Sequence, residues 1–166
     1  WWEGVSWLEE VIKEIALSSE LQLALPYEVG PAKHEAQVFE SSWGMGGKHY
    51  VWDNNETAWM WEIIKKAGKE YEVLKNYDDS SDIRRLAVGQ ALKELMLIQS
   101  SDWLFMVSNN LTRDYAMKRF FEHYTKLLRI SNCLRNNKID EEFVKWLHQI
   151  EYEDDFFNQI MPGGLI

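Results

Sequence analysis

Apolar residues recur at helical spacing through most of the chain after Thr57, in runs that short polar segments separate. One run begins at Thr57 and reaches Gly68, which we expect to be its C-terminal cap. Further runs begin at Asp82, Thr112 and Asp140, whose side chains are of the types that start helices. Long amphipathic helices joined by short links bury their apolar stripes against one another, so the pattern predicts a mainly α, antiparallel helical bundle.

A helix and a short strand are predicted ahead of this bundle. Ser6 and Glu9 have the spacing of a capping box, apolar residues follow on one helical face, and Ser18–Ser19 end the helix. The apolar run Leu21–Leu25 is stopped by a proline, which is typical of a short buried strand. Residues 27–55 contain glycines and a proline without any period, so we expect an irregular connection there.

Four tryptophans fall within residues 41–61, and the first two, Trp43 and Trp52, lie outside any helical period. The sequence between them is rich in glycine, which permits tight turns and a close approach of the backbone to a ligand. A tryptophan ring offers a large flat apolar face with one N–H donor at its edge, and this combination suits a sugar. The alternative interpretation is a loop whose two rings fold back onto the domain.

Three segments resemble, in the right order, motifs of glycoside hydrolase family 57. The first is WWEG at residues 1–4, which is similar to the end of a motif of the catalytic barrel. The second is SSWGMGG followed by VWDN, within residues 41–54, which resembles the last conserved region of the family. The third is QSSDWLF at residues 99–105, which resembles a segment of the C-terminal helical domain. The family contains α-1,4-glucan branching enzymes and α-amylases.

The resemblance implies an incomplete (β/α) barrel followed by a helical domain. Residues 1–39 would be the end of the catalytic barrel, so that the predicted helix and strand are a barrel remnant. Residues 40–166 would be the C-terminal helical domain that carries the tryptophan-rich loop. Retaining enzymes of this kind use a nucleophilic Glu and an acid/base Asp. The resemblance places both upstream of Trp1, so we expect no catalytic residue in this chain and no catalysis by the chain alone.

The resemblance also implies which side chains bind substrate. Trp43 and Trp52 would stack on glucose units, and Asp102 would accept hydrogen bonds from sugar hydroxyls. The alternative for Asp102 is a role as helix N-cap. Trp103 is a further candidate for substrate contact, with a place in the core as its alternative. Leu111 departs from the family, whose members often carry a sugar-contacting Gln at this position.

We therefore predict the C-terminal part of a family 57 enzyme that acts on α-glucan, most simply a 1,4-α-glucan branching enzyme. In this interpretation the chain forms the aromatic wall of the glucan-binding cleft. The first alternative is an α-amylase or a 4-α-glucanotransferase of the same family. The second alternative, from a different class, is a non-catalytic helical module for glucan binding or assembly.

Composition argues against several other classes of protein. The chain is 46% apolar and 14% aromatic, which is typical of a globular fold. Its net charge of −9 argues against a nucleic-acid partner, and no apolar run reaches the length that a membrane helix needs. The four histidines show no metal-ligand spacing, so we predict neither a metal nor another cofactor. The pair Glu122–His123 is assigned a packing or capping role.

The partners that this interpretation predicts are an α-glucan (amylose, glycogen or a maltooligosaccharide) and the upstream catalytic barrel of the same polypeptide. Residues 1–25 would carry an apolar face without its barrel. We expect that face to dock on the bundle or to pair with a second copy, which would give a homo-oligomer. Cys133 is the lone cysteine and cannot form an internal disulfide, which favours a reducing cytoplasm as the location.

Overall fold

The computed structural model describes residues 2–31, 35–77 and 81–155. The chain divides into two compact units, Trp1–Glu40 and Ser41–Ile166, and each is described by itself. None of the described helices has both the length and the apolar character that a membrane crossing requires. The predicted C-terminal tail at residues 162–164 and the centre of the predicted turn at 78–80 lie outside the described residues.

The first unit is built around one helix, α1, which spans Trp2–Leu17. Its end at Ser18–Ser19 confirms the prediction, and the Ser18 hydroxyl accepts the backbone N–H groups of Glu20 and Leu21 at 3.1 Å each. The predicted capping box is wrong, because the helix begins upstream of Ser6 and takes that residue into its second turn. Among the described residues of this unit none is buried.

The predicted strand at Leu21–Leu25 does not form in the described part of the chain. These five residues have no regular structure, and a short turn of 3₁₀ helix follows at Pro26–Glu28. A strand exists only where a neighbouring strand accepts and donates its backbone hydrogen bonds. The apolar run alone therefore did not suffice, and the expected irregular connection after it is confirmed.

The second unit contains the helical bundle, as predicted. Its helices are α2 (Ala58–Leu74), α3 (Asp82–Ile98), α4 (Ser101–Ser108), α5 (Arg113–Arg135) and α6 (Glu141–Glu153). Helix α3 packs against α2, α5 and α6, and α4 packs against α5. Side chains from each of these described helices form the core, and the largest fully buried apolar ones are Met60, Leu74, Ile98, Leu104, Phe120, Leu127, Ile130, Leu134, Leu147 and Ile150.

Several predicted helix ends can be compared with the structure. The starts of α3 at Asp82 and of α6 after Asp140 are confirmed. Gly68 is not a C-cap, because α2 continues through it to Leu74. Thr112 precedes α5 as predicted, but its backbone is left-handed, with φ 47°, and its hydroxyl does not cap the helix.

Candidate functional site

The segment before α2 is a closed loop held by its own hydrogen bonds. The backbone N–H of Ser42 donates to the carbonyl of Gly47 at 3.0 Å. The Ser42 hydroxyl donates to the carbonyl of Lys48 at 2.6 Å and accepts the N–H of Gly44 at 3.0 Å. Since one serine ties both sides together, the loop that begins at residue 42 has a fixed shape without regular secondary structure.

Two of the glycines are needed for this shape. A Cβ atom on Gly44 would lie 2.9 Å from the carbonyl oxygen of Lys48 and 3.0 Å from Cζ3 of Trp52, both too close. Gly46 has φ 64°, in the left-handed region of backbone conformation that residues with a side chain rarely adopt. The glycines therefore let the backbone approach the Trp52 ring, whereas the sequence had suggested an approach to a ligand.

The structure brings Trp43 and Trp52 together. Their ring centroids are 5.0 Å apart and the rings are perpendicular, at 89°. Trp43 also contacts Phe105 of α4, with ring centroids 5.6 Å apart. Even so, Trp43 remains 76% exposed, while Trp52 is partly buried and packs against the core. One ring is thus held by two others and still presents most of its surface to solvent.

The backbone of Trp52 is anchored to α2 and α4. Its carbonyl oxygen accepts the hydroxyl of Thr57 at 2.8 Å and the indole N–H of Trp61 at 2.9 Å. The side-chain amide of Asn54 donates to the carbonyl of Tyr50 and to the hydroxyl of Ser108, both at 2.8 Å. Thr57 is fully buried, so the loop is fixed to the bundle at its base.

Asp102 lies in the first turn of α4 and is exposed. It is not the N-cap, a position that Ser100 occupies without a side-chain bond to a backbone N–H of the helix. The hydroxyl of Ser100 donates to the Asp102 carboxylate at 3.1 Å. Asp102 and Phe105 are three residues apart on the helix and therefore share a face. Phe105 is the residue of this helix whose ring meets Trp43.

Trp103 has the position of a structural residue. Its indole N–H donates to the carbonyl of Leu97 at 2.7 Å, and its ring contacts that of Tyr115. The ring is partly buried and packs against the core. Since its only polar atom is already bonded to the backbone, Trp103 has no donor left for a sugar. Leu111 is 53% exposed in the turn between α4 and α5.

Sequence reasoning missed several members of this site. Phe105 fixes Trp43, and its spacing from Asp102 on a helix was the signal that could have found it. Asn54 lies in the VWDN motif, but its bond to Ser108 joins residues 54 positions apart, which no local pattern predicts. Trp52 also lines a pocket of about 450 Å³ together with side chains of α2 and α4.

A separate polar cluster is buried between α3, α5 and the end of α6. Nδ1 of His123 and a carboxylate oxygen of Glu94 are 2.7 Å apart, and both side chains are at most 1% exposed. Lys126 forms an ion pair with Asp154 at 2.6 Å. Burial raises the pKa of the Glu94 carboxyl, against the hydrogen bonds that it accepts from His123 and Gln90.

In this cluster the partner of His123 is Glu94, which the sequence did not suggest. The packing or capping role was predicted for the pair Glu122–His123: His123 is buried in the bundle, whereas the Glu122 carboxylate accepts a hydrogen bond from Arg119 at 2.8 Å. Ligand atoms of Glu94, His123 and Asp154 lie within 4.8 Å of one another, a spacing that could hold a metal ion. Lys126 already pairs with Asp154, however, and His123 already lies 2.7 Å from Glu94, so the groups form an internal network of a hydrogen bond and an ion pair.

The chain is similar to known proteins over its whole length. The family model that matches the chain is described as "1,4-alpha-glucan branching enzyme, C-terminal" and covers residues 62–162. A 1,4-alpha-glucan branching enzyme of Thermococcus kodakarensis is 29% identical over 171 residues, and the alignment covers 100% of this chain and 25% of that enzyme. The chain thus spans about a quarter of the length of this curated relative.

Solved structures give the same family. The crystal structure of a GH57 branching enzyme from Thermococcus kodakaraensis, in complex with glucose and additives, matches with a TM-score of 0.76 at 29% identity, covering 98% of this chain and 30% of that chain. The alpha-amylase AmyC from Thermotoga maritima matches with a TM-score of 0.62 at 28% identity, covering 95% and 29%.

Proposed function

The chain belongs to the family of C-terminal domains of 1,4-alpha-glucan branching enzymes, within glycoside hydrolase family 57, and on that premise we propose that it forms one wall of a glucan-binding cleft. Trp43 and Trp52 supply the apolar faces on which glucose units stack. Asp102 accepts hydrogen bonds from the hydroxyls of the same glucan. Trp103 is partly buried and packs against the bundle core.

The exposed and immobilised ring of Trp43 is the observation that carries the proposal. An indole left 76% exposed keeps a large apolar area in water, which is unfavourable until a ligand covers it. The contacts with Trp52 and Phe105 hold the ring in place before any ligand arrives. Binding to a ring that is already ordered loses less conformational entropy than binding to a mobile one.

A wall of this kind suits chain transfer. In the retaining mechanism the catalytic carboxyl groups form a glycosyl-enzyme intermediate that either water or another hydroxyl can attack. A branching enzyme needs a glucan hydroxyl to react in preference to water. Aromatic faces beside the intermediate exclude water and orient the acceptor chain. In this proposal the nucleophile and the acid/base come from a catalytic barrel carried by the same cytoplasmic polypeptide.

Hydrolysis is the competing function within the family. The similarity to the alpha-amylase AmyC favours it, with the lower TM-score of 0.62. The resemblance leads us to expect Gln at position 111, and Leu111 lacks the polar contact that this Gln would make. In this proposal the aromatic wall therefore decides between transfer and hydrolysis. An iodine-stained glucan assay on a protein that joins this chain to its barrel separates the two. Branching without net shortening of the glucan supports the proposal, and simple hydrolysis contradicts it.

Calorimetric titration of the chain with maltoheptaose tests the wall directly. Because aromatic stacking contributes on the order of 1 kcal/mol, Trp43→Ala should weaken binding about fivefold or more. Trp2→Ala is the matched control, since Trp2 is also a highly exposed tryptophan, at 91%, and lies in the other unit. Equal affinity of the Trp43→Ala variant and the unmodified chain would refute the proposed wall.

A further inference from the structure

The pocket beside Trp52 combines apolar surface with polar side chains. Leu104, which is 1% exposed, and Trp61 supply apolar surface. Asp53, Gln99 and Ser101 line the same pocket of about 450 Å³. Within the described residues the side chains of these three make no hydrogen bond with the protein. The pocket therefore offers a carboxylate, an amide and a hydroxyl to a ligand.

A second pocket, of about 360 Å³, adjoins the first. Asp53 and Trp61 line both, so the two pockets meet at these residues. The second is completed on α2 by Glu62 and Lys65, whose charged groups are paired at 2.9 Å. We call the two pockets together the Trp61 groove.

Trp61 itself is held in a fixed orientation. Its indole N–H donates to the carbonyl of Trp52 at 2.9 Å, so the nitrogen is occupied and the ring offers its apolar surface. The ring is only partly buried although it packs against the core. Trp52, which accepts this hydrogen bond, also connects the groove with the candidate site. It lines the first pocket, and its ring meets that of Trp43 edge to face.

The charges of the groove select the class of ligand. Its one cation, among the described lining residues, is Lys65, which Glu62 neutralises. The Asp53 carboxylate adds negative charge, which disfavours phosphates and other anions. A neutral ligand that carries hydroxyl groups on an otherwise apolar ring satisfies both kinds of surface.

We propose that the Trp61 groove binds a further stretch of the α-glucan, one glucosyl unit in each pocket on either side of the Trp61 ring. This rests on the proposed cleft wall and extends it. A chain stacked on Trp43 and Trp52 continues into the groove, where Asp53 and Gln99 bond its hydroxyls. The affinity for glucan therefore depends on the length of the bound chain, because a short oligosaccharide cannot contact the cleft wall and the Trp61 groove at once.

Affinities of maltotriose and maltoheptaose, measured by calorimetry, test this inference. For the unmodified chain we expect maltoheptaose to bind more tightly than maltotriose. Gln99→Ala and Asp53→Ala should each reduce the affinity for maltoheptaose about three- to tenfold, as expected for one lost hydrogen bond, and reduce the gain with length. Gln149→Ala, the same change at an exposed position of α6, is the matched control and should leave both affinities unchanged.

The outcomes separate this inference from the cleft wall. If Trp43→Ala weakens binding while Gln99→Ala and Asp53→Ala do not, the groove is refuted and the wall stands. If Gln99→Ala weakens binding while Trp43→Ala does not, glucan binds in the groove but not as a continuation of the wall, so the wall and the continuous chain across both surfaces are refuted. Thermal melts show that each variant is folded. Should Asp53→Ala disturb the loop, Gln99→Ala decides alone, since the Gln99 side chain is exposed and has no partner within the described residues.

Discussion

The side chain of Trp43 is largely exposed, whereas that of Phe120 is fully buried in the bundle core. Trp43→Ala should therefore lower the free energy of unfolding only slightly, since little core contact is lost. Phe120→Ala leaves a cavity and should cost about 3–5 kcal/mol. Urea denaturation of both variants measures the difference. A loss of several kcal/mol in Trp43→Ala would mean that the ring is a structural plug, and the site assignment would fail.

The buried pair of Glu94 and His123 predicts a specific pH dependence. Burial raises the pKa of Glu94 from its ordinary 4.5, so the folded state favours the protonated acid more than the unfolded state does. The stability that this group contributes is present below pH 4.5 and is lost as the pH rises through the folded-state pKa. Lys126 opposes the shift of the pKa, and Asp154 adds to it.

Glu94→Gln removes this titration and keeps the shape of the side chain. The unfolding free energy of the unmodified protein, minus that of the variant, should therefore fall as the pH rises from about 4.5. Chemical denaturation of both proteins between pH 4.5 and 8 gives this difference. A difference that rises with pH would show that the hydrogen bonds from His123 and Gln90 outweigh the burial of the carboxyl.

At the scale of single elements, α6 has a cap that can be measured. The Asp140 carboxylate accepts the backbone N–H of Phe143 at 2.8 Å. Asp140→Ala should cost about 1 kcal/mol of unfolding free energy. Thr112→Ala is the control, because Thr112 occupies the same position before α5 without making a side-chain bond to the helix. Thermal or urea denaturation measures the unfolding free energy of both variants. Equal losses of unfolding free energy in the two would contradict a capping role specific to Asp140.

The start of α6 after Asp140 was predictable because a local capping side chain and a local apolar period decide it, whereas α3 starts at Asp82 without a side-chain cap. The prediction of a C-cap at Gly68 was wrong. Burial of Ala67 and Tyr71 on the same helix outweighs the helix-propensity cost of one glycine, about 1 kcal/mol. The strand at Leu21–Leu25 could not be judged locally, since strands depend on a neighbour. Within the site, Trp43 and Trp52 were visible as residues without a period, whereas Phe105 came from a segment distant in sequence.

At the scale of the whole molecule, the buried apolar residues of the described chain all lie between Met60 and Ile150. None of the described residues up to Glu40 is buried. A protein of residues 41–166 should therefore have nearly the same melting temperature as the full chain, because it keeps the entire described core. Calorimetric melts of the two proteins test this. A drop of more than a few degrees would show that the first unit contributes to the stability of the second.

Helix α1 leaves apolar side chains in solvent, with Trp2 91% exposed and Trp7 66% exposed. Leu8 and Ile12 extend this apolar surface at 51% and 44%. Several large apolar side chains exposed on one helix are uncommon in a monomer, and a partner covers them when one is present. In the absence of a catalytic barrel, we expect the full chain to self-associate as its concentration rises, and the protein of residues 41–166 to stay monomeric. Sedimentation velocity measures both, with Trp7→Glu in the full chain as a control that should restore the monomer. A full chain that stays monomeric at high concentration with α1 still exposed would contradict the prediction.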